Sequence, residues 1–378
     1  MRVALFLTIL AGFPVFFTNH KTVAPSALLR VPNLNVFSSA VAPAVQVNMR
    51  VKLKWMQTFE GYHKAYFSPD GTLLALMDRE HIDVIDFASS QRVYRIERPH
   101  CNFLFLKFSR DGGTLAASYQ DRSAQPTTVR VALWNASSGK EKLTIPVADQ
   151  DWGREADVSF SPDGRQIATN LGGIARLWES DTGYETRRFL PPPELSDLRP
   201  KRMLLSPNGK WLVVDFRRFT PPTFYDAVEV WDLETGSEIS VATNVYSDWR
   251  FSEDSEILAI TASIDQGKIT ERALAEFWET RSWTRKQVIE VPGPWKGAFA
   301  LSVSASGDIA AIGGRKMFGV FSIAQGGLLA ERQHPEGVFD VPLYYDLDHL
   351  DFSPNGRFLV TGGEDGTVKV WRIKLRPI

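Results

Sequence analysis

The sequence contains a single cysteine, Cys101, and almost no charge imbalance. One cysteine excludes an internal disulfide framework, a thiolate zinc cluster and an iron–sulfur site, because each needs several thiol groups. Lys and Arg number 43 against 44 Asp and Glu, a formal net charge of −1. Nucleic-acid binding usually needs a basic field, which this composition does not supply, so we predict no nucleic-acid partner.

Sequence motifs of the common catalytic and cofactor sites are also absent. The chain has no G-x-S-x-G nucleophile elbow, no phosphate-binding G-x-x-x-x-G-K-[ST], no G-x-G-x-x-G and no haem-attaching C-x-x-C-H. No two of its 6 histidines are spaced i, i+4 with a nearby Glu, as a zincin helix would require. We therefore predict no catalytic residue, no resident metal and no cofactor.

Residues 1–48 differ from the rest of the chain. Arg2 precedes an apolar run, Val3–Phe17, and a polar flank, which is the pattern of a secretory signal. The run is shorter than the ~20 residues that span a bilayer. Three interpretations stay open: a cleaved signal, an uncleaved membrane anchor, or a translation start at Met49. Residues 25–48 contain prolines and no acidic residue, and are interpreted as a linker.

The predicted organisation follows from these segments. Residues 1–24 are a signal peptide or membrane anchor, residues 25–48 a linker, and residues 49–378 the folded domain. The signal predicts an exported protein, either secreted or periplasmic. A start at Met49 would make the protein cytoplasmic instead.

A five-residue turn motif recurs seven times. Each copy has an apolar residue followed by serine, and most end in Asp-Gly or Asn-Gly, as in Phe67-Ser68-Pro69-Asp70-Gly71. The copies begin at Phe67, Phe108, Phe160, Leu205, Phe251, Val303 and Phe352. Successive starts are 41 to 52 residues apart, with a mean of 47.5. A repeat of this period indicates a propeller or solenoid architecture.

Strand-forming segments flank every copy. Pro and Asp/Asn-Gly favour a tight turn, after which an alternating strand begins. Further on, an apolar strand ends in an aromatic residue before a polar turn, and a fourth strand follows. That place is held by Ile85, Trp134, Trp178, Trp231, Trp278, Phe321 and Trp371. Four short antiparallel strands repeated seven times predict an all-β, seven-bladed β-propeller, which removes exposed sheet edges by radial repetition.

These residues resemble the WD-repeat (WD40) family. The most similar copy is the last, which begins at Phe352 and continues through Thr361-Gly362-Gly363-Glu364-Asp365-Gly366 to Trp371. The resemblance covers about residues 50–374, and it specifies the architecture more than the function. It implies that a strand at Val51–Thr58 joins the last blade and closes the ring.

The repeats depart from the family pattern. The family has an Asp six residues before the Trp, bonded to a His and a Ser/Thr, and only the last copy keeps it, as Asp365. Gly61-Tyr62 and Pro99-His100 stand near the place of the family's Gly-His pair. We therefore expect aromatic and aliphatic packing to hold most blades together.

The two faces of the predicted ring differ in their connections. The first–second and third–fourth strand turns are short and recurrent, and define the short-turn face. The second–third and blade-to-blade connections are longer, and define the long-loop face, where Trp, Tyr and Arg, the residue types of interface hot spots, accumulate. The candidate binding residues are Trp152, Arg154, Arg217, Arg218, Tyr225, Trp295, Phe339, Tyr344 and Tyr345. Alternatively, these side chains pack down and support their loops.

The pattern favours a non-enzymatic, monomeric scaffold that binds a protein partner through the long-loop face. We predict no membrane contact beyond a possible N-terminal anchor. A propeller enzyme of the hydrolase or lactonase type is the alternative, with a polar or metal site at the central axis, where ligands from different blades can converge. A structural spacer without a ligand is the third possibility.

Overall fold

The computed structural model describes residues 49–123, 126–148, 157–170, 174–189, 199–220, 223–243, 245–263, 273–292, 300–314, 317–333, 347–363 and 365–377. These residues form seven four-stranded antiparallel sheets, which are the blades of a propeller. A search of the same residues found no helix able to cross a membrane. The predicted all-β, seven-bladed β-propeller is confirmed.

Blades 1 to 6 are each built from four consecutive strands, with the first strand innermost. The strands of blades 1 to 3 are β2 (Lys64–Phe67), β3 (Leu73–Met77), β4 (His81–Asp86), β5 (Arg92–Glu97), β6 (Cys101–Phe108), β7 (Thr114–Asp121), β8 (Thr128–Asn135), β9 (Glu141–Ala148), β10 (Val158–Phe160), β11 (Gln166–Thr169), β12 (Ala175–Glu179) and β13 (Glu185–Phe189). The strands of blades 4 to 6 are β14 (Arg199–Leu205), β15 (Trp211–Thr220), β16 (Thr223–Asp232), β17 (Glu238–Thr243), β18 (Val245–Phe251), β19 (Ile257–Ser263), β20 (Ala273–Glu279), β21 (Thr284–Val291), β22 (Ala300–Val303), β23 (Ile309–Gly313), β24 (Met317–Ser322) and β25 (Leu328–Gln333).

Blade 7 joins the two ends of the described chain. Its inner strands are β26 (Leu347–Phe352), β27 (Phe358–Gly363) and β28 (Thr367–Pro377), and its outer strand is β1 (Met49–Glu60). β1 is antiparallel to β28, with Trp55 opposite Trp371. The predicted closure by an N-terminal strand is confirmed, and the strand extends beyond Val51–Thr58 at both ends.

The turn motif owes its recurrence to a shared set of hydrogen bonds. In blade 1, Ser68 Oγ donates to Asp70 Oδ1 (2.6 Å) and accepts from the backbone N–H of Leu73 (2.9 Å). Asp70 Oδ1 also accepts from the N–H of Thr72 (3.0 Å). The fifth residue of the motif has a left-handed backbone: it is glycine in six copies, with φ of 65–72°, and Ser255 in blade 5, with φ of 62°. The motif is therefore a structural turn.

The core is divided into seven clusters, one at each interface between neighbouring blades. The cluster between blades 1 and 2 encloses Trp134, and the cluster between blades 4 and 5 encloses Trp249; both side chains are almost fully buried. Leu53 on β1 and Ile373 on β28 are part of the cluster between blades 6 and 7. Apolar packing between blades thus continues around the ring, as the degenerate repeats predict.

Some blades contain polar contacts like those of WD-repeat blades, and blade 1 has different residues in their place. Trp178 and Trp371 donate their indole N–H groups to Thr169 Oγ1 (2.8 Å) and Thr361 Oγ1 (3.0 Å). In blade 1, Tyr62 stands near the place of the family's histidine and donates its hydroxyl to Asp83 Oδ2 (2.5 Å). Arg95 pairs with the same carboxylate (2.6 Å). A tyrosine–carboxylate–arginine group therefore stabilises this blade.

Candidate functional site

The seven innermost strands surround a central channel with a cavity of about 280 Å³. Its wall includes the residue immediately before each turn motif and, in four blades, the residue three positions before it. The opening at the short-turn face is lined by the third residue of every motif: Pro69, Arg110, Pro162, Pro207, Glu253, Ala305 and Pro354. Arg110 Nη1 donates to the Pro207 carbonyl oxygen (2.5 Å). One side chain thus connects blade 2 with blade 4 beside the opening.

Side chains immediately before the turn motif bond to the next blade. Asp351 Oδ2 in blade 7 accepts from the N–H of Phe67 in blade 1 (3.3 Å). Ser159 Oγ accepts from the N–H of Leu205 (3.2 Å), and Ser302 Oγ accepts from the N–H of Phe352 (3.1 Å). The innermost strand is a sheet edge, whose free backbone groups need partners. These side chains supply partners from the neighbouring blade.

Three positions before the motif, charged side chains form a chain across blades 3, 4 and 5, which a backbone N–H extends to blade 6. Asp157 in blade 3 lies 3.5 Å from Arg202 Nε in blade 4, and Arg202 Nη1 donates to Asp248 Oδ1 in blade 5 (2.5 Å). Asp248 also accepts from Arg250 Nη1 (2.7 Å) and from the N–H of Leu301 in blade 6 (3.0 Å). Burial raises the pKa of Asp248, but the Arg250 and Arg202 guanidinium groups outweigh it and hold that pKa below its usual range. Asp248 is therefore an ionised bond between blades.

At the interface between blades 7 and 1, burial shifts the pKa values of His349 and Asp351 in favour of their neutral forms. Burial, together with the nearby Lys64 charge, lowers the pKa of His349 to about 3, so the imidazole is neutral at pH 7. Its Nε2 lies 2.5 Å from the Ala65 carbonyl oxygen, which makes Nε2 the donor. Burial raises the pKa of Asp351 to about 6, with Lys107 opposing part of that shift.

His349 and Asp351 hold neighbouring blades together by hydrogen bonds, and Asp351 also has a pKa suited to proton transfer. A carboxyl group with a pKa near 6 suits proton transfer close to neutral pH, and Asp351 has this property. The same carboxylate bonds to Phe67, and His349 bonds to Ala65. In the part of the chain that the structure describes, no group of three His, Cys, Asp or Glu side chains is placed to hold a metal ion.

Most of the predicted binding residues lie outside the described residues. Trp152, Arg154, Trp295, Phe339, Tyr344 and Tyr345 belong to this group. Arg217 and Arg218 lie on β15 and Tyr225 on β16, where the backbone alone is described, and Arg218 is directly opposite Tyr225. The second–third connection of blade 4, predicted to be long, is short: β15 and β16 stay paired from 215 to 226, with only residues 221–222 outside the description.

Sequence reasoning missed the charged groups of the innermost strands. Arg202, Asp248 and His349 all lie three residues before a turn motif, and Arg250 and Asp351 lie one residue before it. Aligning the seven motifs would have shown these two layers, because residues at equal positions in neighbouring blades lie side by side. Arg202 and Asp248 are separated by 46 residues, which is one repeat.

Comparisons with known proteins agree with this fold. The model of the family described as "WD domain, G-beta repeat" matches residues 343–372, which include most of blade 7. Among solved structures, the β-propeller domain of Cps50 (Swd1) from Myceliophteria thermophila superimposes with a TM-score of 0.67 at 15% identity, over 85% of this chain and 100% of that chain. A comparison with curated proteins found no match. The resemblance to WD-repeat propellers is confirmed.

Proposed function

We propose that this protein is a non-enzymatic scaffold that binds a protein partner through the long-loop face of its propeller. The two faces carry this proposal. Connections within a blade at the short-turn face are four or five residues long, whereas connections at the long-loop face range from one to thirteen residues. Variable connections on a rigid ring are the usual place for recognition residues.

The second and third strands of blade 4 strengthen the asymmetry. β15 and β16 have ten residues each and stay paired as far as Thr220 and Thr223. The second strands of the other blades have four to eight residues. The extra length places Arg217, Arg218 and Tyr225 near the end of a hairpin at the long-loop face.

Likeness to WD-repeat propellers supports the same class of function, because such propellers typically bind protein partners. The bonding of the channel supports the non-enzymatic part of the proposal. Asp248, Ser302 and Asp351 each bond to the backbone of the next blade, so a change at any of them would act on the ring itself. The apolar run at Val3–Phe17 supports export of the protein before it meets its partner.

Partner binding is tested by alanine replacement on the long-loop face. The partner is first identified by crosslinking and affinity purification from the native source, and its affinity is then measured by calorimetry. Combined replacement of Trp152, Arg217, Arg218, Tyr225 and Trp295 is expected to abolish binding with little change in melting temperature. Single replacements at true anchor residues should cost about 2 kcal/mol or more.

The control is a set of exposed residues on the short-turn face: Lys140, Arg165 and Glu234. Asp70 and Asp163 are unsuitable as controls, because each carboxylate holds its own turn motif together. Loss of binding in the control set, with the long-loop set still binding, would show that the partner uses the other face. Unfolding of the long-loop variant would mean that its side chains support the loops instead.

A further inference from the structure

The closing strands extend beyond the ring. In blades 1 to 6 the third strand ends one residue after the aromatic position, as β8 does at Asn135, and the chain then turns back. β28 continues for six residues after Trp371, to Pro377. β1 stays paired with it throughout, with Met49 opposite Pro377. The two strands therefore form a ribbon that runs past the turns of the other blades at the short-turn face.

One side of this ribbon is strongly basic. Side chains alternate between the two sides of a strand, and here every second residue is Lys or Arg. Three cross-strand pairs result, each with a cation opposite a cation, and we call these six residues the basic ribbon. They are Arg50 opposite Arg376, Lys52 opposite Lys374, and Lys54 opposite Arg372. All six side chains are exposed.

Like charges directly opposite each other destabilise a sheet, so this arrangement has a cost. In the described part of the chain, none of the six side chains forms an ion pair, and Arg372 has the ring of Phe358 as a neighbour at 5.7 Å. The other side of the ribbon is apolar: Leu53 and Ile373 pack against blade 6. Folding of the propeller therefore explains the apolar side, and leaves the basic side without a structural role.

The residues around the basic ribbon favour an anionic lipid surface as the partner that neutralises its six cations. Trp55 and Leu375 lie on the other side of the ribbon from the cations and are 55% and 51% exposed, so blade 6 leaves part of the apolar side open. Trp is the residue type enriched at membrane interfaces. The sequence before Glu60 contains no acidic residue and includes the apolar run Val3–Phe17. In lipid-anchored proteins a polybasic patch adds to the attachment that one lipid chain gives, and here an apolar segment would take the place of the lipid chain. Clusters of four to eight Lys/Arg bind anionic lipids in this way.

We propose that the basic ribbon docks the propeller onto an anionic phospholipid bilayer. The headgroup phosphates and carboxylates neutralise the opposed cations, which removes the repulsion between them. Docking by the ribbon turns the short-turn face towards the lipid and leaves the long-loop face accessible from solution. This inference is independent of the partner proposed above, and it revises the expectation that the protein contacts a membrane only through an N-terminal anchor.

Co-sedimentation of the full chain with vesicles tests the proposal. Phosphatidylcholine vesicles with and without phosphatidylserine are compared, because the apolar run contributes equally to both and the ratio isolates the charge effect. The ribbon variant is Lys52→Gln, Lys54→Gln and Lys374→Gln. The matched control, Arg79→Gln, Arg122→Gln and Lys286→Gln, removes three exposed cations from other blades, none of them on the short-turn face.

We expect the wild type and the control to prefer phosphatidylserine, and the ribbon variant to lose about 100-fold of that preference, since each Lys or Arg contributes about five-fold in affinity. The variant neutralises both members of the Lys52–Lys374 pair and one member of the Lys54–Arg372 pair, so the melting temperature should stay unchanged or rise slightly. Equal loss in the variant and the control, or no preference in the wild type, would overturn the proposal.

Two further measurements keep the test decisive. If the ribbon variant folds poorly, high salt must remove the preference of the wild-type protein for phosphatidylserine vesicles over phosphatidylcholine vesicles, because exposed charges are screened; a preference that persists would contradict the proposal. Wild-type binding to a DNA or RNA duplex is measured in parallel. Tighter binding to the duplex than to the vesicles, lost in the ribbon variant, would assign the surface to nucleic acid and overturn the lipid proposal.

Discussion

The interface between blades 5 and 6 and the closure between blades 7 and 1 use the same hydrogen bond in different electrostatic settings. Asp248 accepts from Leu301 N–H at 3.0 Å, and Asp351 accepts from Phe67 N–H at 3.3 Å. Two arginines keep the pKa of Asp248 low against its burial, whereas burial raises the pKa of Asp351 to about 6. The hydrogen bond sets the geometry of both interfaces, and the neighbouring cations decide how each responds to pH.

The two interfaces also differ in how the chain connects them. Blades 5 and 6 follow one another along the chain, and each contains four consecutive strands. Blade 7 is complete only when β1 pairs with β28 across almost the whole sequence. The chain joins β1 to blade 1 through residues 61–63, so the link between blades 7 and 1 depends on the non-covalent pairing of β1 with β28, whereas the chain joins blades 5 and 6 directly.

Removing β1 should cause the largest loss of unfolding free energy among these tests. Deletion of residues 1–58 removes Val51 and Leu53 from the cluster between blades 6 and 7 and leaves β28 as an unpaired edge. Each lost apolar side chain costs about 2–5 kcal/mol, so we expect a loss above about 5 kcal/mol in urea unfolding. Deletion of residues 1–48 is the control, and it should leave the unfolding free energy unchanged. Equal melting temperatures for the two truncations would contradict closure by β1.

Replacing Asp248 tests the interior interface. Asp248→Ala leaves Arg202 and Arg250 without their shared carboxylate and the N–H of Leu301 without its acceptor. Breaking a buried pair in this way costs about 3–5 kcal/mol. Asp248→Asn keeps an oxygen for Leu301 and should lose less, as measured by urea unfolding at pH 7. The same loss for both variants would mean that the charge of Asp248 carries the effect and that its hydrogen bond with Leu301 contributes little.

The stability of the interface between blades 7 and 1 should change only slightly with pH, and this change should separate the contributions of Asp351 and His349. The pKa of Asp351 rises from 3.8 to about 6 on folding, so the stability from its protonated form is lost as pH rises through that window. The pKa of His349 falls from 6.5 to about 3, so the folded state loses stability as pH falls from 6.5. The two contributions oppose each other between pH 4 and pH 6.

Single substitutions separate these contributions. The His349→Gln variant should lose stability with rising pH between 4 and 6, and the Asp351→Asn variant should gain it, each by about 1.4 kcal/mol per pH unit at most. Urea unfolding at several pH values measures both slopes. Gln and Asn keep the hydrogen bonds to Ala65 and Phe67 possible, so structural loss is limited. Parallel slopes in the two variants would show that neither residue titrates as described.

The sequence predicts the fold well because its determinants are local. Ser68, Asp70 and Gly71 specify their turn through contacts within five residues. The bond from the serine hydroxyl to the backbone N–H five residues later recurs at every repeat. The channel is harder to predict, since the Arg202–Asp248 pair depends on the alignment of two repeats, and the pKa of Asp351 depends on burial by several blades. The basic ribbon was missed because its cations alternate with apolar residues, so neither strand contains a continuous basic run. The long-loop residues, such as Trp152 and Trp295, stay a prediction.

Because β1 pairs with β28, it cannot find its partner strand until almost the whole chain has been synthesised. About 300 residues separate the end of β1 at Glu60 from the start of β28 at Thr367. At a synthesis rate of ~5–20 residues per second, β1 waits roughly 15–60 s for its partner. Throughout that interval Val51 and Leu53 lack their final packing, and the nascent strand offers a free edge to other chains. A chaperone that covers this strand until the last repeat emerges would protect the growing chain from aggregation.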